Sequence, residues 1–206
     1  MVYVLDAATA PQHAALIDDM HRVRRQVFVE GLGWPLAVDA HGREIDAFDT
    51  DAAVYLVRAD PRTGRHRASV RLLPSTAPHL LGDCFEGLCT DGVPRGDDIW
   101  EITRLCMTPG LPRDEAVYSR RTVCAGVMEF GLLHGIRRYS CVLSLSWLPT
   151  FLSPGWEVLP LGPPQEVEGD MLGAFVITVS AQFLRDYRQR HEIPLGVLDF
   201  VRPQAA

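Results

Sequence analysis

Residues 98–107, DIWEITRLCM, set the hardest constraint in the chain, because an otherwise apolar strand carries Glu101 and Arg104 in its middle. Charges in such a strand are costly to bury unless they are paired or hydrogen-bonded. The fold must therefore bring partners to both, and an ion pair between them is the plainest arrangement. In a regular strand, residues three apart point to opposite faces. If Glu101 and Arg104 line one pocket, the strand must contain a bulge or bend between them.

Around this strand the pattern alternates between the two periods. Residues 2–5 read as a first strand. Thr9-Ala-Pro11 starts a helix to about Glu30, with Leu16, Met20, Val23 and Val27 at helical spacing, and Gly31 and Gly33 end it. Segments 53–60 and 66–73 flank Pro61-Arg-Thr-Gly64, which predicts a β-hairpin. A short helical turn fits 79–87, a helix fits 114–135 through Val123, Val127 and Phe130, and a strand fits 138–145. A short helix at 147–153, strand material at 156–159 and 172–180, and a closing helix at 181–190 follow. The expected fold is α/β, a single domain over 1–206 in which a twisted mixed β-sheet is flanked by helices on both faces.

Several classes of chemistry are excluded by what the chain contains. All twenty basic residues are arginine. Without lysine there is no Schiff base and no P-loop. A net charge of −6 argues against a nucleic-acid partner. The five cysteines lack paired spacing and read as buried thiols, and the seven histidines are scattered, so no metal is assigned. With no basic leader and no spanning segment, the expected location is the cytoplasm, with no membrane insertion.

Arg24 and Phe28 are four apart, hence on one face of the first helix. Trp34 follows in GLGWPL, and acids then crowd Glu44-Ile-Asp46-Ala-Phe-Asp49. Farther on come Arg71 in SVRLLP, Phe85 in DCFEGL, and the Glu101 and Arg104 of the apolar strand. Taken singly, these read as a surface arginine, a core phenylalanine and a solvated acidic loop. Together, in this order and spacing, with the strings VFVEGLGW, GREIDAFD, ASVRLLP and WEITRL, they resemble the signature of the LuxI-type acyl-homoserine-lactone synthases. The likeness is strong over about 20–108 and weaker beyond.

That resemblance implies a fold similar to the GCN5-related N-acetyltransferases. It also implies a reaction, in which the α-amine of S-adenosylmethionine attacks an acyl thioester and the methionine carboxylate then displaces methylthioadenosine to close a lactone. S-adenosylmethionine is then a substrate, and no cofactor is expected. The amine must lose a proton, and Glu101 is the first candidate base, with Asp46 second. Phe28 and Trp34 can face the sulfonium or adenine, and Arg24 or Arg104 can bind the carboxylate. Asp49, Arg71 and Phe85 complete a site network. The charged members can equally form a buried lattice that shapes the pocket without touching ligand.

The S-adenosylmethionine site falls mainly in 20–108 and the acyl pocket mainly in 100–180. Acyl candidates are Met128, Val142, Leu143, Ser144, Leu145, Trp147, Leu148 and Phe151, any of which can equally be plain core. A general N-acetyltransferase is a weaker alternative, because 108–116 read TPGLPRDEA and lack the Q/RxxGxG/A pyrophosphate loop. A non-catalytic acyl- or nucleotide-binding module is a third. The donor is acyl-CoA or acyl-carrier protein. Many relatives carry basic residues on the helix after the strand at 138–145, where this chain has SWLPTFLSPGW and no basic residue. That departure brings the coenzyme A donor level with the carrier protein, for which Arg120, Arg121, Arg137 and Arg138 leave other places to dock.

Overall fold

The structure is a computed structural model and describes residues 1–200; residues 201–206 of the expected domain lie outside the described residues. Its frame is one nine-stranded sheet in the order β6-β8-β5-β4-β3-β2-β1-β9, with β7 added against β8. The strands are β1 (Val2–Leu5), β2 (Val54–Ala59), β3 (His66–Pro74), β4 (Ile99–Met107), β5 (Arg138–Ser144), β6 (Val158–Pro160), β7 (Gln165–Val167), β8 (Asp170–Thr178) and β9 (Leu198–Phe200). Among the described residues only β4/β5 and β1/β9 pair in parallel. The short β7 and β9 carry too little pattern to stand out in the sequence. The other strands lie within two residues of their expected bounds.

The helices are α1 (Ala14–Arg24), α2 (Leu80–Cys84), α3 (Arg113–Leu133), α4 (Leu148–Leu152) and α5 (Ala181–His191). α1 buries Leu16 and Met20 against Leu5, Tyr55, Val57 and Leu73, and Val23 against Phe28 and Cys106, while α3 buries Val123, Val127 and Met128 against Val2, Leu56, Val70 and Leu72. Strand alternation supplies both faces at once. Leu56 and Leu72 go to α3, and their neighbours Tyr55, Val57 and Leu73 go to α1. The helix expected to reach Glu30 leaves α geometry at Arg24 and continues as a π-helical stretch, Arg25–Gly31. Such widened turns often mark functional sites. Here the stretch brings Trp34 back toward Phe28, whose carbonyl accepts the Trp34 N–H at 2.9 Å.

β4 contains the bulge that a shared face for Glu101 and Arg104 demands. Ser69 pairs with Cys106 and Arg71 with Thr103, so β4 spends one residue more than β3 over this interval. Arg104 takes the strain with φ +55, a left-handed conformation uncommon for a residue with a side chain. The consequence is a change of parity. Trp100, Ile102, Leu105 and Met107 pack on the α3 side, while Glu101, Thr103, Arg104 and Cys106 serve the α1 side. Glu101 and Arg104 thus share a face although three residues separate them.

Candidate functional site

The loop between the π-helical stretch and β2 carries Glu44, Asp46 and Asp49 beneath α1, and β3 and β4 raise Arg71 and Arg104 to meet them. Arg24, 1% exposed, donates from Nε to Glu44 at 2.5 Å and from Nη1 and Nη2 to Asp49 at 2.7 and 2.9 Å. Arg71 is equally enclosed. It donates to both oxygens of Asp46, to Asp49 at 2.8 Å and to the Thr103 hydroxyl at 2.9 Å. Arg104 donates to Glu44 at 3.1 Å and to Asp46 at 2.9 Å. Three guanidinium groups meet three carboxylates, so the cluster is neutral as a unit. That neutrality is what makes its burial tolerable.

The polar groups around the lattice extend it. Tyr55 Oη donates to Asp49 at 2.8 Å, and burial together with that carboxylate pushes the phenol up. Burial opposes ionisation of Asp49, but the bonds and charge of Arg24, the charge of Arg71 and the Asp46 N–H outweigh it and hold Asp49 far below the usual carboxylate range. His21 Nδ1 lies 2.9 Å from the Glu44 carbonyl and steadies the loop. Glu44, wholly buried, links Arg24 to Arg104 and was absent from the candidate residues, although it heads the acidic string read there. Tyr55 and Thr103 gave no sequence signal, since both types are ordinary in strands.

An aromatic lid covers the outer edge. Phe28 and Trp34 stack with centroids 5.0 Å apart, and the Arg104 guanidinium lies 5.5 and 5.9 Å from the two rings. Phe28 is buried, whereas Trp34 is 37% exposed and forms the face open to solvent.

Glu101 stands apart from this lattice but on the same face, opposite Leu73 and next to the Arg71–Thr103 pair. It is 0% exposed and meets no guanidinium at bonding distance among the described residues, so no ion pair joins it to Arg104. Its oxygens instead accept the N–H groups of Leu80 and Leu81 in α2, each at 2.7 Å. Burial raises its pKa to about 7, against the lowering effect of those two donors and of Arg71. Glu101 also marks the place where the sheet opens. β4 and β5 pair only from Ile99↔Arg138 to Glu101↔Ser140, yet β4 continues to Met107 and β5 to Ser144.

The remaining candidates divide between the faces of that opening. Phe85, grouped by sequence with Asp49 and Arg71, packs instead with Leu81, Leu88, Val142, Leu172 and Ala174. Ser144 shares the Val142 face and donates to Asp170 at 2.8 Å. Met128 and Phe151 belong to the α3 side, as does Leu143 by alternation from Tyr139, whose hydroxyl donates to the Val127 carbonyl. Leu145 approaches Gly173, Leu148 is half-buried at the start of α4, and Trp147 is exposed. A separate surface hollow of about 460 Å3, lined by Tyr3, His13, Asp19 and Arg65 among others, shares no residue with the lattice. Of the cysteines, Cys89, Cys106, Cys124 and Cys141 are buried thiols as expected, and Cys84 is exposed. No helix of the described residues is long and apolar enough to cross a membrane.

Known proteins resemble this chain in sequence and in fold. The autoinducer synthase family model matches residues 8–182. An isovaleryl-homoserine lactone synthase of Bradyrhizobium diazoefficiens is 30% identical over 197 residues, covering 94% of this chain and 87% of that protein. A solved coenzyme-A-dependent acyl-homoserine lactone synthase, determined with S-adenosylmethionine and isopentyl-CoA, superposes with a TM-score of 0.89 at 28% identity, covering 100% of this chain and 95% of the other. A Lactobacillus plantarum structure described as an N-acetyltransferase, 14% identical with a TM-score of 0.58 over 87% of this chain and 99% of its own, shares the fold. With the family model spanning most of its length and a relative at this identity, the chain belongs to the autoinducer synthase family, the enzymes that make acyl-homoserine lactones.

Proposed function

We propose that this synthase takes its acyl group from coenzyme A, that Glu101 is the base for amide formation, and that S-adenosylmethionine sits under Trp34 and Phe28. The observation that carries the reading is the position of Glu101, at the point where β4 and β5 part, with a carboxyl whose pKa lies at about 7. A base is most useful when its pKa is near the working pH. Each carboxylate oxygen keeps a second lone pair beyond the one facing Leu80 or Leu81, and that pair can accept the ammonium proton directly or through water.

In the first step the amine of S-adenosylmethionine gives its proton to Glu101 and attacks the thioester carbonyl. The C–N bond forms, the C–S bond breaks, the second proton lost by the nitrogen goes to the departing thiolate, and the proton held by Glu101 passes to solvent. In the second step a carboxylate oxygen of the methionine displaces neutral methylthioadenosine from the γ-carbon. Trp34 and Phe28 favour a sulfonium by cation–π contact. Arg24 is consumed by Glu44 and Asp49, which makes Arg104 the better partner for the substrate carboxylate. Asp46 holds two arginines and acts as scaffold in this reading. The S-adenosylmethionine half lies within 20–108 and the acyl half within 100–180 of one synthase domain in the cytoplasm.

Two facts favour coenzyme A. A similar structure, named as coenzyme-A-dependent, covers the whole chain, and residues 145–156 carry no basic side chain for an acidic carrier protein. Steady-state kinetics with matched acyl-CoA and acyl-carrier donors test this, with Glu101→Gln run in parallel. Wild type should prefer acyl-CoA, and Glu101→Gln should lose about 10²-fold or more in turnover while remaining folded. A hundredfold preference for the carrier-bound donor, about 2.7 kcal/mol, would reverse the donor assignment. A fully active Glu101→Gln would remove the base assignment.

A further inference from the structure

We infer that Gly82 and His79 are positioning residues for the Glu101 carboxylate: the His79 ring occupies the space that Gly82 leaves bare, and this packing aims the Leu80 and Leu81 N–H groups at both carboxylate oxygens. The inference rests on Glu101 being the base. α2 is a single short turn, Leu80–Cys84, and its first two N–H groups are the hydrogen-bond donors to Glu101. Whatever sets the tilt of that turn sets the carboxylate.

His79 comes just before those donors and is 0% exposed. Its Nδ1 lies 2.9 Å from the Ala77 carbonyl, while its Nε2 is buried without a partner. The ring is therefore held by one polar contact and by shape. A Cβ built on Gly82 would come within 2.6 Å of Cε1 and 2.9 Å of Nε2, and would also strike Arg95 Nη2. Gly82 has no positive φ, so its backbone would accept any residue. Glycine inside a helix is unfavourable relative to alanine. Space for the ring and the guanidinium is the physical reason for it here.

The same packing is tied to the strand that bears Glu101. Arg95 Nη1 donates to the Ser75 carbonyl at 3.0 Å, Ser75 Oγ exchanges hydrogen bonds with the Gly96 N–H and C=O at 3.0 and 3.1 Å, and Ser75 N donates to the Ile99 carbonyl at 3.1 Å. Ile99 begins β4 two residues before Glu101. Donors and acceptor are thus fixed to one frame.

Gly82→Ala tests the idea through the pH dependence of kcat/KM with acyl-CoA and S-adenosylmethionine. An added methyl must displace the ring and tilt the turn, and a carboxylate that loses N–H donors is harder to ionise. The acid limb should move to higher pH by about half a unit or more, with the KM for S-adenosylmethionine unchanged. His79→Phe keeps the ring volume and removes the Nδ1 contact, so it should move the limb the same way by less; it also carries the test if Gly82→Ala does not fold. A limb at the wild-type position in both variants, or a loss of kcat that is uniform in pH, would overturn the inference. Glu101→Gln separates the two failures. If it abolishes the limb while Gly82→Ala leaves the limb in place, only the positioning role falls; if it leaves the limb in place, the base assignment falls and this inference with it.

Discussion

On the α1 side of the sheet, Arg24, Arg71 and Arg104 are held by Glu44, Asp46 and Asp49 in contacts that leave each group a defined partner. On the α3 side, Val123, Val127, Met128 and Ile136 fill space against β-strand neighbours, and shape alone decides the fit. The two regions differ in what a substitution can leave behind. A lost ion partner strands a buried charge, whereas a lost methyl leaves a void that neighbours partly refill. The first region should therefore be brittle and the second tolerant.

The largest expected effect is at Arg71. Arg71→Met keeps much of the volume but leaves Asp46 and Asp49 facing each other with one cation fewer, and breaking a buried pair in this way costs about 3–5 kcal/mol. Met128→Leu, equally buried on the other side, should cost less than about 1.5 kcal/mol. Denaturant unfolding of the two variants measures the contrast directly. Equal losses would mean that the lattice is no more demanding than ordinary core.

A second contrast, of intermediate size, lies within the charged side itself and appears in stability against pH. Asp49 has a folded pKa below its unfolded one, so its contribution is present above about pH 4 and is lost as pH falls toward the folded value. Glu101 has the opposite sign. Its folded pKa is raised from 4.5 to about 7, so the folded state is favoured below 4.5 and loses roughly 3 kcal/mol as pH rises through 7. Asp49→Asn should flatten the acid side of a plot of Tm against pH, and Glu101→Gln should flatten the fall between about pH 4.5 and 7. Unchanged slopes in both variants would show that neither group is coupled to folding as its surroundings imply.

The same difference explains what could be read before the fold was known. Charged residues inside an apolar strand demand partners, so Glu101 and Arg104 stood out, and parity tied a shared face for the two to a bulge, which lies at Arg104. Arg24, Asp46, Asp49 and Arg71 read singly as surface, strand or loop residues, and only their order and spacing, which resemble the synthase signature, singled them out. What the pattern could not show was the division of labour. Arg24 is only 1% exposed and fully used, and Glu101 takes backbone N–H groups from a turn 20 residues away in sequence in place of an arginine. The acyl candidates were less legible still. Val142 and Leu143 are adjacent apolar strand residues, and only the register that sends them to opposite faces separates their roles.

That separation gives the smallest and most local prediction. Beyond Glu101 and Ser140, β4 and β5 no longer pair, so an acyl chain whose carbonyl sits near Glu101 can pass between the strands toward the α3 side, which holds Met128 and Phe151 and which Leu143 faces by strand alternation. On the Glu101 side that room is already filled by Phe85, Leu81 and Leu88 packed with Val142. Leu143→Ala should therefore lengthen the accepted acyl group, changing the kcat/KM ratio between acyl-CoA donors two carbons apart by about tenfold, the scale of one or two methylenes in an apolar pocket. Val142→Ala should change that ratio by less than about threefold, because it only loosens packing against Phe85. The comparison uses neighbours of similar chemistry on one strand, so a general loss of stability cannot mimic it. A shift at Val142 with none at Leu143 would place the acyl chain on the same side as Glu101, beside Phe85 and Ala174, and would reverse the direction assigned to the opening.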